Sequence, residues 1–452
     1  MTISRRAFMY RSGALGMAGS MLHLIGSATP AHARGLGRRR PFGGYGDLIA
    51  DPAGLIDLPK GFSYKVFSRE GEPLSHGGKV PGSHDGMGAF SAGLYGTWLV
   101  RNHEIEGEDV SEDGVTPVAH LRGRVYDPEA VGGTTTLLVL HDRQLLLDYV
   151  SLSGTSNNCA GGPTPWRTWL TCEETLEVLS KPHGYVFEVD PWRGGNPKPI
   201  VGMGRFEHEA VAFSRRGVAY LTEDAGEPHG CVYRFEPKRP LAGPGSLHAG
   251  GTLTAMSVVG VGSDLSAVQQ PGQVFRVRWV PIWNPDPGAS DTSVREQAIS
   301  AGATPIPKAE GIWTDTDGSI WFVSSRGDGP LAEDQEDRSA GLHSGQIWRL
   351  DPQRDSIELV VLFKHGSSYD GPDNITVTPH GYALACTDGE DDQWLVGIDE
   401  AGGTFPFALN AASDAEFAGA TFSPDGHTLF VNIQDAPALT LAIWGPWQGP
   451  VR

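Results

Sequence analysis

The chain reads as an all-β protein, a β-propeller of about six blades with seven as the alternative, built as a radial repeat of short strands. Three observations lead there. Short β-branched and aromatic runs recur along the chain, and 61 Gly and 33 Pro punctuate them. Several runs close on Asp-Pro or Glu-Pro, as Gly184 to Pro191, Val232 to Pro237 and Gln346 to Pro352 do. Helical periodicity is almost absent.

In chain order, Ser4-Arg5-Arg6-Ala7-Phe8, a mildly apolar stretch from Ala14 to Ile25 and Ala31-His32-Ala33 form a twin-arginine export signal with its cleavage site. Residues 1–33 are therefore set aside from the fold. The apolar stretch falls short of the ~20 residues that span a bilayer, so the mature protein is expected to have no membrane span. Export implies a periplasmic or secreted location and the twin-arginine translocase as a transient partner. Residues 34–452 then form one propeller domain, because a ring of blades grows without needing a thicker core.

Within it, Thr134 to Leu140 and Leu145 to Leu152 make a hairpin around His141-Asp142-Arg143-Gln144. Further units are Val218 to Thr222, Asp317 to Val323 and Pro424 to Val431. Residues 265–308 break the pattern with Gln269-Gln270-Pro271-Gly272 and Trp283-Asn284-Pro285-Asp286-Pro287, and read as an irregular insertion over one mouth of the ring.

The net charge of −19 argues against nucleic acid and anionic membrane surfaces. It suits cations, and over most of the surface it serves solubility. The four cysteines, 159, 172, 231 and 386, are too few for a disulfide scaffold; one pair, Cys172 with Cys231 or Cys386, could still bridge.

The most informative segment runs from Asn158 to Glu174. It places Cys159 and the pair Glu173-Glu174 at the ends of a stretch in which Gly161 and Gly162 let the backbone turn close to a ligand, Pro163 and Pro165 fix φ, and Trp166 and Trp169 form apolar walls. This frames a metal site, and it would equally serve as a tight loop around a buried thiol. Similar acidic clusters recur at Asn102-His103-Glu104, Glu207-His208-Glu209, Glu223-Asp224, Asp370 to Asn374 and Glu416 to Gly419. In a propeller the innermost strands converge on the axis, so such clusters meet at one mouth.

In their order, these segments resemble the PhoX family of exported alkaline phosphatases, in its shorter branch, from His84-Asp85-Gly86-Met87 to Trp444-Gly445-Pro446-Trp447. The resemblance implies a propeller phosphatase that holds two ferric ions and two or three calcium ions, with the Cys159 thiolate at the iron pair. Glu104, Cys159, Glu209, Glu310, Asp373, Asn374 and Glu416 form the first set of candidate ligands. His84, Asp85, Asn102, Glu173, Glu174, Glu223, Asp224 and Asp388 form a second. Each carboxylate alone could instead cap a turn or pair with a surface Lys. His103 and His208 are candidates to orient neighbouring carboxylates. Arg205 and Arg326 are candidates to clamp a phosphate through the planar guanidinium fork, with an ordinary surface charge as the alternative.

Three positions depart from the family pattern: Arg167 in Trp166-Arg167-Thr168-Trp169, Ala309 before Glu310, and the missing Glu after Cys386. The expected chemistry is metal-assisted hydrolysis of a phosphate monoester by a monomeric enzyme, without a Ser, Thr or Asp nucleophile. No Gly-x-Ser-x-Gly elbow and no Walker loop is present. A calcium-only propeller hydrolase of lactones or phytate, and a non-catalytic exported binding propeller, are the alternatives.

Overall fold

Among the described residues, strand pairing builds six four-stranded antiparallel units, the fifth extended at its outer edge by the short strands Ile56–Pro59 and Leu48–Ile49. The computed structural model describes residues 42–327, 342–389, 392–435 and 437–448, so the export signal lies outside the described residues. The innermost strands are His84–Ser91, Asn158–Pro163, His208–Phe213, Ala309–Thr314, Pro372–Val377 and Phe417–Phe422, in blades 1 to 6. Each pairs with the next strand of its blade: Gly96–His103, Trp169–Glu173, Ala219–Glu223, Ile320–Ser324, Ala383–Thr387 and Leu429–Ile433. The outermost strand of blade 6 is Ser63–Arg69 from the N-terminal side, paired with Leu439–Trp444, so the two ends of the domain close the ring.

The Asp-Pro and Glu-Pro endings fall where blade geometry puts them. Val186–Asp190, Val232–Pro237 and Gln346–Asp351 are each the third strand of a blade, and the rigid φ of proline turns the chain there. The expected hairpin forms as Gly132–Leu140 against Leu145–Thr155.

Residues 265–308 differ from expectation. Val274–Pro281 is a strand, and it joins the outer edges of blades 3 and 4 by pairing with Gly251–Val258 and Ser356–Leu362. Its Val-Phe-Arg-Val-Arg-Trp-Val sequence alternates well enough for a strand that the surrounding Pro and Gly obscured. A short helix, Val294–Ser300, follows with a Ser293/Glu296 capping box, and its Arg295 reaches Glu207 of blade 3 at 2.9 Å.

Between blades the core is apolar and aromatic, with Trp169, Trp321 and Trp348 fully buried. All four cysteines are free and buried, so neither proposed pair forms a disulfide. Among the described residues no helix is long and apolar enough to cross a membrane.

Two features bring backbone close to the axis. The innermost strand of every blade slips register near its start, at His84/Met87, Asn158/Gly161, His208/Val211, Ala309/Ile312, Pro372/Ile375 and Ala418/Thr421, so each carries a bulge. Small residues line the axis just beyond. A Cβ on Gly86 would lie 2.6 Å from Ala160 Cα, and one on Gly419 would lie 2.4 Å from the Asp85 carbonyl oxygen.

Candidate metal centre

The bulges aim one side chain at the mouth in each of blades 1 to 5. In blades 1 to 5 the first bulged residue is Asp85, Cys159, Glu209, Glu310 and Asp373; in blade 6 the equivalent position is Gly419, and Glu416 comes instead from the approach to the strand. The second strand of each blade ends opposite the residue before the bulge, and the next residue along is Glu104, Glu174, Asp224, Ser325 or Asp388 in blades 1 to 5. These two positions lie on the same face of the strand pair.

The result is a chain of potential ligands around the axis. Ligand atoms lie within 4.8 Å of one another in the groups Asp85/Glu104/Cys159, Cys159/Glu174/Glu209, Glu209/Glu310/Asp373 and Asp373/Asp388/Glu416, and consecutive groups share a residue. Cys159 belongs to two of them. Its Sγ–H donates to Glu209 Oε2 at 2.7 Å.

Crowded, buried carboxylates resist ionisation. Burial first, then Glu174, Asp373, Glu310 and Asp85, push the Glu209 carboxyl well above its usual range. Burial and the neighbouring Asp224 carry Glu310 to about 8 against the favourable charge of Lys308. Burial, followed by Asp85 and Glu209, pushes the Cys159 thiol up as well. Bound cations would reverse all three, because a positive charge beside these donors favours their ionised forms, so loading would expel the protons.

Three side chains hold the ring in shape. Gln434 Nε2 donates to Asp85 Oδ2 at 2.9 Å and to Glu104 Oε2 at 2.7 Å. Asn374 Nδ2 donates to Asp373 Oδ1 at 3.2 Å and Glu209 Oε1 at 3.5 Å, while its Oδ1 accepts from Gly419 N–H at 2.9 Å. Asn374 thus donates to two ring carboxylates. Lys308 Nζ sits 2.5 Å from Asp224 Oδ2 and 3.0 Å from Glu310 Oε1. Sequence reasoning missed Gln434 and Lys308. The signal for Gln434 was its place just past the end of a second strand, where blades 1, 2, 3 and 5 carry a carboxylate.

Other expected site residues lie elsewhere, and strand alternation explains most of them. Glu173 and Glu223 stand opposite Asn158 and His208, on the face turned away from the bulged ligands. Glu173 accepts from the backbone N–H of Ser156, Gly184 and Tyr185 and from His183 Nδ1 at 2.6 Å. Glu223 accepts from the Tyr233 hydroxyl at 2.5 Å, with Arg295 Nε 3.6 Å away.

His84, His103 and His208 share that outward face, and none orients a ring carboxylate. His103 bonds the Gly82 carbonyl and Thr135, His208 bonds the Gly204 carbonyl, and His84 bonds the Pro81 carbonyl. Asn102 bonds the carbonyls of Cys159 and Ala160 through Nδ2, tying blade 1 to blade 2. Arg205 spends its guanidinium on the carbonyls of His183, Leu176 and Pro287, so it braces loops and does not face the ring. Arg326 follows Ser325 at the strand end on the mouth side, half-buried, and Ser325 Oγ donates to Glu310 Oε1 at 3.0 Å.

Comparison with known proteins follows this geometry. The family model described as alkaline phosphatase PhoX matches residues 43–147 and 141–437. No curated protein matches the chain in sequence. Among solved structures, one described as a gluconolactonase is 11% identical over 90% of this chain and 100% of its own, with a TM-score of 0.44. A gluconolactonase from Xanthomonas campestris is 10% identical over 83% and 100%, with a TM-score of 0.41. The calcium-binding protein regucalcin from Agrobacterium tumefaciens is 11% identical over 86% and 98%, with a TM-score of 0.40. At such identities the likeness concerns the fold alone.

Proposed function

Because the chain belongs to the PhoX family of alkaline phosphatases, we propose that it is a metal-dependent hydrolase of phosphate monoesters, exported through the twin-arginine translocase and active outside the cytoplasm. The observation that carries this reading is the run of four linked acidic groups at the propeller mouth, two of which share a single thiol. Nothing but cations would draw so many buried acidic groups into one funnel, since each raises its neighbours' cost of ionising.

The two groups that share Cys159 would hold the iron pair. The all-oxygen groups built on Glu310, Asp373, Asp388 and Glu416 would hold calcium, which takes 6–8 oxygen ligands. Bound cations supply neutralisation of the phosphoryl and leaving oxygens and lower the pKa of water. The chain's own residues do the rest. Gln434 keeps Asp85 and Glu104 converged, and Asn374 does the same for Asp373 and Glu209. The Cys159–Glu209 hydrogen bond gives the thiol proton a place to go when the thiolate is needed, onto Glu209 Oε2 and from there to water. Arg326, on the mouth side next to Ser325, is the candidate phosphate clamp that survives; Arg205 is committed to loop carbonyls.

The test uses mature protein recovered from the periplasm. Hydrolysis of an aryl phosphate monoester and thermal stability should fall together on chelation and return together when iron and calcium are restored, because metal binding to the native state is folding free energy. Full activity in protein verified to be metal-free would overturn the reading.

A further inference from the structure

The ring has an internal repeat that three sectors follow, and the sector between blades 3 and 4 departs from it through a lysine. In the sectors between blades 1 and 2, 2 and 3, and 5 and 6, a candidate cation group combines the bulged residue of one blade, the carboxylate at its second-strand end, and an acidic or thiol residue of the next blade. These are Asp85/Glu104/Cys159, Cys159/Glu174/Glu209 and Asp373/Asp388/Glu416. By the same rule the sector between blades 3 and 4 would be Glu209/Asp224/Glu310. There the Lys308 ammonium lies 2.5 Å from Asp224 Oδ2 and 3.0 Å from Glu310 Oε1.

The backbone that delivers Lys308 belongs to the repeat. Lys308 immediately precedes its innermost strand in a left-handed conformation, φ +48°, and Ser83, Asn157 and Gly371 hold the same place in blades 1, 2 and 5 with φ of +42°, +47° and +50°. Among these four blades the side chain is what differs. Asn157 is short and turns back to the Glu174 carbonyl, whereas the four-carbon stem of Lys308 carries a compact point charge across to both carboxylates.

We propose that Lys308 is a built-in cation of the ring: its ammonium group replaces a metal ion in the sector between blades 3 and 4, clamping Asp224 to Glu310. It rests on the metal-ring reading above and goes beyond it by assigning which carboxylate pair, Asp224 with Glu310, takes no ion of its own, apart from the Glu209/Glu310/Asp373 group. An ammonium satisfies two carboxylates with a single charge and cannot be removed by chelation, so blades 3 and 4 stay joined at the mouth when the other sectors are empty.

The test counts ions by native mass spectrometry on mature protein stripped of metal and reloaded with calcium as the probe. Lys308→Met removes the charge while keeping the stem, and should bind one more calcium ion per chain than wild type, whereas Lys308→Arg should bind the wild-type number. Because the Met variant carries a fold risk, two further variants test the same idea from the carboxylate side. Asp224→Asn should keep the wild-type count, since Asp224 faces an ammonium, while Asp388→Asn, its counterpart in blade 5, should lose one ion. An unchanged count in folded Lys308→Met, or loss of an ion in Asp224→Asn equal to that in Asp388→Asn, overturns the proposal while leaving the metal ring standing. A wild-type protein that takes up no cation overturns both.

Discussion

Exchanging Glu173 or Glu174 for Gln separates the two faces of one strand end. Glu173 is fully buried and accepts four hydrogen bonds, from Ser156, Gly184 and Tyr185 N–H and from His183. In Glu173→Gln the retained oxygen can serve Ser156 and His183, and the new NH2 then confronts the N–H groups of Gly184 and Tyr185. Two buried donors left unsatisfied at about 1–3 kcal/mol each give about 4 kcal/mol of destabilisation. That agrees with the 3–5 kcal/mol expected on removing one member of a buried pair, here the partner of His183. Glu174 sits in the ring beside Cys159 and Glu209, so Glu174→Gln relieves like-charge repulsion in metal-free protein and should cost less than about 1 kcal/mol there. Urea unfolding of the metal-free proteins, followed by tryptophan fluorescence, measures the first effect, and elemental analysis of the reloaded proteins measures the second. Glu173→Gln should lose stability and keep its metal; Glu174→Gln should keep stability and lose metal. The reverse assignment, or equal destabilisation by both, would refute the argument from strand alternation.

Three further outcomes are expected. His183 is flanked by Glu173 at 2.6 Å and Asp127 at 3.6 Å, and although burial opposes it, these carboxylates and Glu177 raise its pKa above 6.5. Its contribution to stability is therefore complete below pH 6.5 and fades as pH rises through the folded value, so the stability gap between wild type and His183→Gln should narrow on going alkaline; a gap constant from pH 6 to 9 would contradict this. Cys159→Ser is nearly isosteric and should fold, but should lose iron and cut phosphatase activity at least tenfold, checked by absorbance of the purified protein and aryl phosphate hydrolysis. Arg5→Lys with Arg6→Lys should leave the precursor unprocessed in the cytoplasm, and normal periplasmic yield seen by immunoblot would rule out twin-arginine export.

Much of the architecture was legible because propeller strands are local. The runs ending on Asp-Pro or Glu-Pro announced blade strands, which the pairing makes third strands, and the recurrence of acidic clusters announced a shared mouth. Which member of a cluster faces that mouth was not legible. In Glu173-Glu174 and Glu223-Asp224 the answer depends on register against the neighbouring strand, and a one-residue step sends the side chain to the opposite face. The bulges that aim Asp85, Cys159, Glu209, Glu310 and Asp373 exist only in the pairing, so composition could not reveal them. Arg205 looked like a phosphate clamp because it lies close in sequence to Glu209, but the carbonyls of His183, Leu176 and Pro287 surround it and take its donors. The strand Val274–Pro281 was hidden among turn residues, because its partners lie on two different blades.

The central claim is that the ring is a mixed iron and calcium centre built around Cys159. Elemental analysis of natively exported protein, joined to a phosphomonoesterase assay on the same sample, tests it most directly. Iron and calcium both present in stoichiometric amounts, with activity that follows the iron, is the predicted result. Calcium alone would contradict the iron assignment and favour a calcium-only propeller hydrolase, and metal well below stoichiometric amounts would contradict the catalytic ring and leave a binding propeller.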